Sequence, residues 1–137
     1  MAFVVDASVA AGWLLPDEPT DIADVLAFRM QSDDALAPDL FWHEALSLLL
    51  TALRRGRIPE TAVYISLDRL ATIPLRNAGA SDAVTAARLA IKHGLSAYDA
   101  AYLELALREH APLATLDKRL AAAAAAERVT VLGPLAQ

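Results

Sequence analysis

Short apolar runs alternate with segments of helical periodicity along the whole chain. The first run, residues 2–5, ends at Asp6 and leads into a predicted helix over 8–15, a pattern typical of a buried strand followed by a helix. Further strands are predicted at 35–37, 73–75, 111–115 and 129–132. Further helices are predicted at 21–30, 40–53, 59–71, 81–93, 96–110 and 117–126. This alternation predicts an α/β fold whose central parallel sheet is covered by helices on both faces.

The composition of the 137 residues is that of a packed domain, with 56% hydrophobic and 21% charged residues. Since no internal repeat or linker interrupts it, we expect residues 1–137 to form a single domain. The absence of cysteine excludes disulfides, thiol catalysis and cysteine-bound zinc. The net charge of -5 excludes attachment to nucleic acid by bulk charge alone, so any such contact must be local or mediated by a metal.

Other protein classes are disfavoured by what the chain lacks. The five glycines do not cluster, which argues against a phosphate-binding loop and a nucleotide cofactor. The start of the chain has no basic segment ahead of an apolar one, and no apolar run reaches the ~18 residues that span a bilayer. We therefore expect a cytoplasmic protein that does not enter a membrane.

Acidic residues follow two of the predicted strands. Asp6 ends the first apolar run, and Asp117 ends the run 112–116 in the same way. Ligands of parallel α/β sheets bind at the carboxyl ends of the strands, which makes both acids candidates for a site. Each also suits the N-cap of the helix that follows, and this alternative stays open.

Two further acids lie in predicted helices. Asp99 follows Ser96 by three residues, the spacing of a capping box, and a carboxylate in the first turn of a helix stays ionised and can hold a cation. Glu44 lies on a helix that is otherwise almost wholly apolar, in one line with Ser47 and Thr51. A polar line on a core helix indicates a wet cleft or a bound cation, and the alternative is an ion pair with an arginine.

Asp6, Glu44, Asp99 and Asp117 are thus candidates for one site. Two like charges about 4 Å apart repel by roughly 4 kcal/mol at an effective dielectric constant of 20, so such a cluster needs a multivalent cation or raised pKa values. Oxygen ligands without histidine or cysteine favour Mg²⁺ or Mn²⁺ over zinc. We expect His43 to face away from Glu44 on its helix. A carboxylate metal site suits phosphoryl chemistry.

These segments resemble the PIN-domain ribonucleases, in particular the VapC-like toxins of type II toxin-antitoxin systems. The resemblance rests on four segments that occur in the family's order over almost the whole chain: Val4-Val5-Asp6-Ala7-Ser8, Glu44 near the start of a long apolar helix, Ser96-Ala97-Tyr98-Asp99-Ala100-Ala101-Tyr102, and Leu113-Ala114-Thr115-Leu116-Asp117. It implies a three-layer α/β/α PIN-like fold with a central parallel sheet of about four to five short strands.

The resemblance also implies an activity, the endonucleolytic cleavage of RNA by metal-activated water. Mg²⁺, or Mn²⁺ in its place, would be the cofactor, and the implied catalytic and metal-binding residues are Asp6, Glu44, Asp99 and Asp117. Ser8 and Thr115 match positions that support the pocket. Ser47 occupies the position where the family typically has asparagine, and serine lacks the side-chain amide of asparagine.

The partners implied are an RNA substrate and a cognate VapB-like antitoxin, and we also expect a homodimer. One group of apolar residues suits an antitoxin groove, a dimer seam or the core: Trp13, Leu14, Leu15, Phe41 and Trp42. One group of basic residues suits either the RNA backbone or the helix dipoles: Arg54, Arg55, Arg57, Lys92, Lys118 and Arg119.

Three other functions remain as alternatives. A catalytically silent PIN-like interaction module is one, because Ser47 departs from the family pattern. A phospho-acceptor receiver domain would need paired acids after the first strand and a lysine at the end of the last, where this chain has Val5 before Asp6 and no lysine. A phosphatase of the haloacid-dehalogenase type would need a second aspartate at position 8, which is Ser8.

Overall fold

The computed structural model describes residues 1–17 and 20–136. Within them the chain forms five strands: β1 (Ala2–Val5), β2 (Asp34–Ala37), β3 (Leu75–Asn77), β4 (Leu113–Ala114) and β5 (Val131–Leu132). The helices are α1 (Ala7–Leu14), α2 (Asp21–Arg29), α3 (Phe41–Arg54), α4 (Glu60–Thr72), α5 (Ala83–His93), α6 (Ala97–Glu109) and α7 (Lys118–Ala126). All strand pairs are parallel, in the order β3-β2-β1-β4-β5. The predicted α/β fold with a parallel sheet is confirmed.

The third strand lies two residues later than predicted. Helix α4 extends to Thr72, and the N–H of its C-cap, Ile73, bonds back to the carbonyl of Leu70. Pro74 has no N–H to give to a sheet, so pairing with β2 begins at Leu75. The last two strands are shorter than predicted, with two residues each.

Four strands of the sheet are mostly buried, because their side chains point into two apolar clusters, whereas Arg76 and Asn77 of the edge strand β3 are exposed. Val4, Leu36 and Leu113 belong to the larger cluster, which includes most of the helices. Phe3 and Val5 belong to the smaller one, which includes residues of α1 and α2. This burial explains why the strands read as continuous apolar runs. No helix of the described residues is long and apolar enough to cross a membrane.

The apolar residues considered for a groove or seam belong to the core. Leu14, Leu15 and Phe41 are buried, while Trp13 and Trp42 are half-buried and pack against the core clusters. The indole N–H of Trp13 also donates to the carbonyl of Ala23 at 2.7 Å. These side chains pack between the helices and the sheet.

The strand order defines where a ligand would bind. The chain leaves β1 toward β2 on one side, while β4 pairs with β1 on the other side. The order of the strands reverses between β1 and β4, and in open α/β sheets ligands bind outside the carboxyl ends of the strands at such a point. Asp6 directly follows β1, and Thr115 directly follows β4.

Candidate active site

A cleft of about 670 Å³ contains all four candidate carboxylates. They come from separate parts of the chain: Asp6 precedes α1, Glu44 lies in the first turn of α3, Asp99 in the first turn of α6, and Asp117 is the N-cap of α7. Ser8 and Ser47 line the same cleft. Thr115 is fully buried and contacts Asp6.

Asp6 is held by two hydroxyl groups. Ser8 and Thr115 donate to its Oδ2 at 2.6 and 2.7 Å. The same hydroxyl oxygens accept backbone N–H groups, Ser8 from Leu116 at 2.9 Å and Thr115 from Asp117 at 3.0 Å. Although Asp6 occupies the N-cap position of α1, its side chain makes no capping bond. Both hydroxyls bond to Oδ2, and within residues 1–17 and 20–136 no hydrogen bond to Oδ1 is present.

The environment of Asp6 opposes its negative charge. Burial raises the pKa of its carboxyl, the bonds from Ser8 and Thr115 lower it, and the charges of Asp99 and Asp117 raise it further. A positive ion in the cleft would offset both the lost hydration and the repulsion.

Glu44 is held by Tyr102, which donates its phenolic hydrogen to Oε1 at 2.7 Å. Burial raises the pKa of Glu44, the Tyr102 bond lowers it, and the charges of Asp6 and Asp99 raise it. Among the described residues no arginine forms an ion pair with Glu44, so the ion-pair alternative is wrong within that part of the chain.

Tyr102 itself is a site residue that the sequence analysis did not identify. It is fully buried, and burial together with the Glu44 bond raises its pKa, so it stays protonated and donates. Its position three residues after Asp99 puts both side chains on one face of α6, which is the signal in the sequence.

Asp99 and Asp117 combine a cap with a place in the cleft. The Ser96 hydroxyl accepts the N–H of Asp99 at 3.1 Å and thereby caps α6. Asp117 Oδ1 accepts the N–H of Leu120 at 3.0 Å and caps α7. Burial and the charge of Asp117 raise the pKa of Asp99, while Ser96 and Arg119 lower it. The cap and ligand readings are compatible.

One face of α3 forms a wall of the cleft. His43, Ser47 and Thr51 all line it, so the prediction that His43 faces away from Glu44 is wrong. Among the basic candidates, Arg55 and Arg57 also line the cleft, and Arg57 pairs with Asp17 at 2.9 Å.

Two other basic candidates have structural partners. Lys92 pairs with Glu127 at 2.8 Å, and Arg119 donates to the carbonyl of Gly94 at 3.2 Å. Lys118 and Arg54 are exposed side chains that are not part of the cleft lining. The cleft therefore carries its basic groups at the end of α3.

The donor chemistry of the site suits a hard divalent cation, because every candidate ligand is a carboxylate oxygen. Three of the four carboxyls have pKa values raised by burial and by one another's charges, which is the repulsion that a cation would relieve. In residues 1–17 and 20–136 no three His, Asp or Glu side chains already form a metal-binding group. Binding would thus require the side chains to draw together.

Comparisons with known proteins find relatives of similar sequence and fold. Ribonuclease VapC3 of Pyrobaculum aerophilum is 34% identical over 124 residues, which cover 88% of this chain and 93% of that protein. The crystal structure of PAE2754 from Pyrobaculum aerophilum matches with a TM-score of 0.72 at 23% identity, covering 90% of this chain and 79% of that chain. FitAcB from Neisseria gonorrhoeae matches with a TM-score of 0.69 at 19% identity, covering 98% of each chain.

The two solved structures show that the fold is shared. The sequence pattern of the PIN domain matches residues 3–126, a span that includes all four cleft carboxylates. This chain therefore belongs to the PIN domain family.

Proposed function

We propose that this protein is a metal-dependent endoribonuclease, a VapC-like toxin that hydrolyses RNA phosphodiester bonds. The observation that carries the proposal is the convergence of Asp6, Glu44, Asp99 and Asp117 in one cleft at the carboxyl ends of β1 and β4. The similarity to a protein named ribonuclease VapC3 supports the same activity.

The proposed cofactor is Mg²⁺, which Mn²⁺ could replace. Asp6, Asp99 and Asp117 would hold it, with Glu44 as a further ligand or as the base. Such an ion, when bound, lowers the pKa of water and neutralises charge on the phosphate oxygens. PIN nucleases typically depend on a metal, in agreement with the carboxylate donors here.

The protein's own contribution is to fix its carboxylates. Ser8 and Thr115 hold Asp6 through Oδ2, so Oδ1 would be the oxygen that binds the cation. Tyr102 holds Glu44 through Oε1, which leaves Oε2 to accept a proton from the attacking water. The water oxygen then bonds to phosphorus while the bond to the leaving ribose oxygen breaks, and that oxygen takes up a proton from solvent. Ser47 lines the cleft and offers a hydroxyl where the family typically has an amide.

We also propose an antitoxin partner of the VapB-like kind, a homodimer and a cytoplasmic location. The antitoxin follows from the toxin assignment and from the similarity to ribonuclease VapC3. The alternative function, a silent interaction module, is disfavoured because all four acids are present and share the cleft.

Cleavage of RNA by the purified protein tests the function. We expect cutting of a mixed RNA pool with Mg²⁺ or Mn²⁺, none with EDTA, and none by Asp6→Asn or Asp99→Asn. Asp68→Asn is the matched control, because Asp68 is exposed on α4 away from the cleft. Cutting that survives in both cleft variants, or that ignores EDTA, would contradict the proposal.

A further inference from the structure

An aromatic side chain stands exposed at the acidic end of the cleft. Tyr98 lines the cleft directly before Asp99, yet 62% of its surface is accessible. Burying this ring against the core would be favourable, so its exposure in a concave site is informative. Exposed aromatic rings stack on unpaired bases, whatever their sequence, because every base has a π face.

A positive charge lies at the opposite end of the same cleft. Arg55 follows the last turn of α3 and is exposed, and among the described residues none forms an ion pair with it. It stands eleven residues after Glu44, which corresponds to about 16 Å along the helix axis. This length exceeds one nucleotide, so a phosphate at Arg55 would lie beyond the one being cleaved.

Charge further restricts what can bind between these ends. The chain has a net charge of -5, and the cleft concentrates four carboxylates at one end. Arg57, the other basic residue of the cleft lining, pairs with Asp17. An RNA phosphate is therefore held more favourably at the Arg55 end of the cleft than at the carboxylate end.

We propose that Tyr98 and Arg55 position the RNA, with one unpaired base stacked on Tyr98 beside the carboxylates and a phosphate more than one nucleotide farther along the RNA bound by Arg55. This proposal rests on the proposed ribonuclease function and deepens it. A base in a duplex is stacked and paired already, so the site selects single-stranded segments such as loops and tails. Ser47 and Thr51 line the wall between the two contacts and provide hydroxyls to the backbone.

Binding of labelled RNA tests the proposal in a background that binds but does not cut. Glu44→Gln removes the proposed base and keeps the three aspartates, and a Mg²⁺ concentration that saturates the weakened site keeps the cation bound. In Mg²⁺, we would measure fluorescence anisotropy with a random-sequence single-stranded RNA and with a duplex of equal length, over a range of salt concentrations. Thermal unfolding of each variant would confirm that it folds.

We expect Tyr98→Ala to weaken binding by about five- to a hundredfold and Tyr98→Phe to keep it. Tyr64→Ala, which removes an equally exposed tyrosine outside the cleft, should have no effect. Log affinity falls as log salt concentration rises, and Arg55→Gln should make this slope less steep by about 0.7. Arg54→Gln, at the neighbouring exposed arginine outside the cleft lining, should leave it unchanged.

The remaining outcomes separate this inference from the proposed function. If RNA binds but the Tyr98 and Arg55 variants match their controls, the positioning roles are wrong while the nuclease assignment stands. If the duplex binds as tightly as the single strand, the stacking role is wrong. If neither RNA binds, both the inference and the proposed function fail.

Discussion

At the scale of single residues, the hydrogen bond between Tyr102 and Glu44 affects the proposed chemistry most directly. The protonated phenol of Tyr102 donates its hydrogen to Oε1 and thereby stabilises the ionised form of Glu44. Burial and the neighbouring aspartates act in the opposite direction. The protonation of Glu44 therefore reflects a balance in which the Tyr102 hydrogen bond opposes burial and the neighbouring charges.

Tyr102→Phe should shift the pH dependence of cleavage. Losing the hydroxyl removes an effect that lowers the pKa of Glu44, so that pKa rises further. If ionised Glu44 is the base, the acidic limb of the pH–rate profile moves to higher pH, and kcat falls by about tenfold or more. The control is Tyr64→Phe, whose hydroxyl donates to Glu60 outside the cleft. An unshifted acidic limb in Tyr102→Phe would rule out this role for Glu44.

Asp6→Asn should stabilise the protein in EDTA at pH 7 while abolishing activity. Burial raises the pKa of Asp6 above its ordinary value of 3.8, so the native state binds this proton more tightly than the unfolded chain does. Stability thus falls as pH rises from 3.8 through the raised pKa and stays lower above it. Asparagine carries no charge to bury.

Chemical denaturation at pH 7 and below pH 3.8 measures this effect. We expect a gain in the free energy of unfolding of about 0.5–2 kcal/mol at pH 7 that disappears in acid. Asp68→Asn should give no gain at either pH. A loss of stability at pH 7 in Asp6→Asn would show that the charge of Asp6 does not destabilise the folded protein.

At the scale of the elements, the ends of β1 and β4 are tied together by side chains. Each of these strands pairs through few residues, and β4 has only two. Beyond the last backbone pair, the side chains continue the connection. The hydroxyls of Ser8 and Thr115 both donate to the carboxylate of Asp6. The contacts that join the carboxyl ends of these two central strands therefore also position Asp6 and Asp117.

Thr115→Val should test this connection. Valine has nearly the same shape but removes the donor to Asp6 and leaves the N–H of Asp117 without its partner. We expect a loss of about 1.5–3 kcal/mol in the free energy of unfolding, because a buried bond to a charged group is lost. Thr115→Ser keeps the hydroxyl and should recover most of the loss. Equal stability of the valine variant and the wild type would contradict the connection.

The elements also show what a sequence can predict. Asp6 and Asp117 were identified because each follows a short apolar run that predicts a buried strand. The structure has a buried strand within each of these runs. The contact between Glu44 and Tyr102 joins α3 to α6 across 58 residues of sequence, and no local pattern specifies that packing. His43 was misplaced because the wide cleft face of α3 includes both it and Glu44.

At the scale of the whole molecule, the family and the fold predicted from the sequence are confirmed. The order of the strands brings together acids that are far apart in the chain, and it does so on a protein with a net charge of -5. Affinity for RNA must then come from the cleft and a bound cation rather than from the overall charge. The single domain over 1–137 and the homodimer stay predictions.

The central claim is that four separate carboxylates form one cation site. Calorimetric titration with Mn²⁺ tests it most directly, on the wild type and on Asp6→Asn, Glu44→Gln, Asp99→Asn and Asp117→Asn. We expect the wild type to bind, each cleft substitution to weaken binding by about tenfold or more, and Asp68→Asn to bind like the wild type. Mn²⁺ binding that is unchanged by all four substitutions, or absent from the wild type, would contradict the claim.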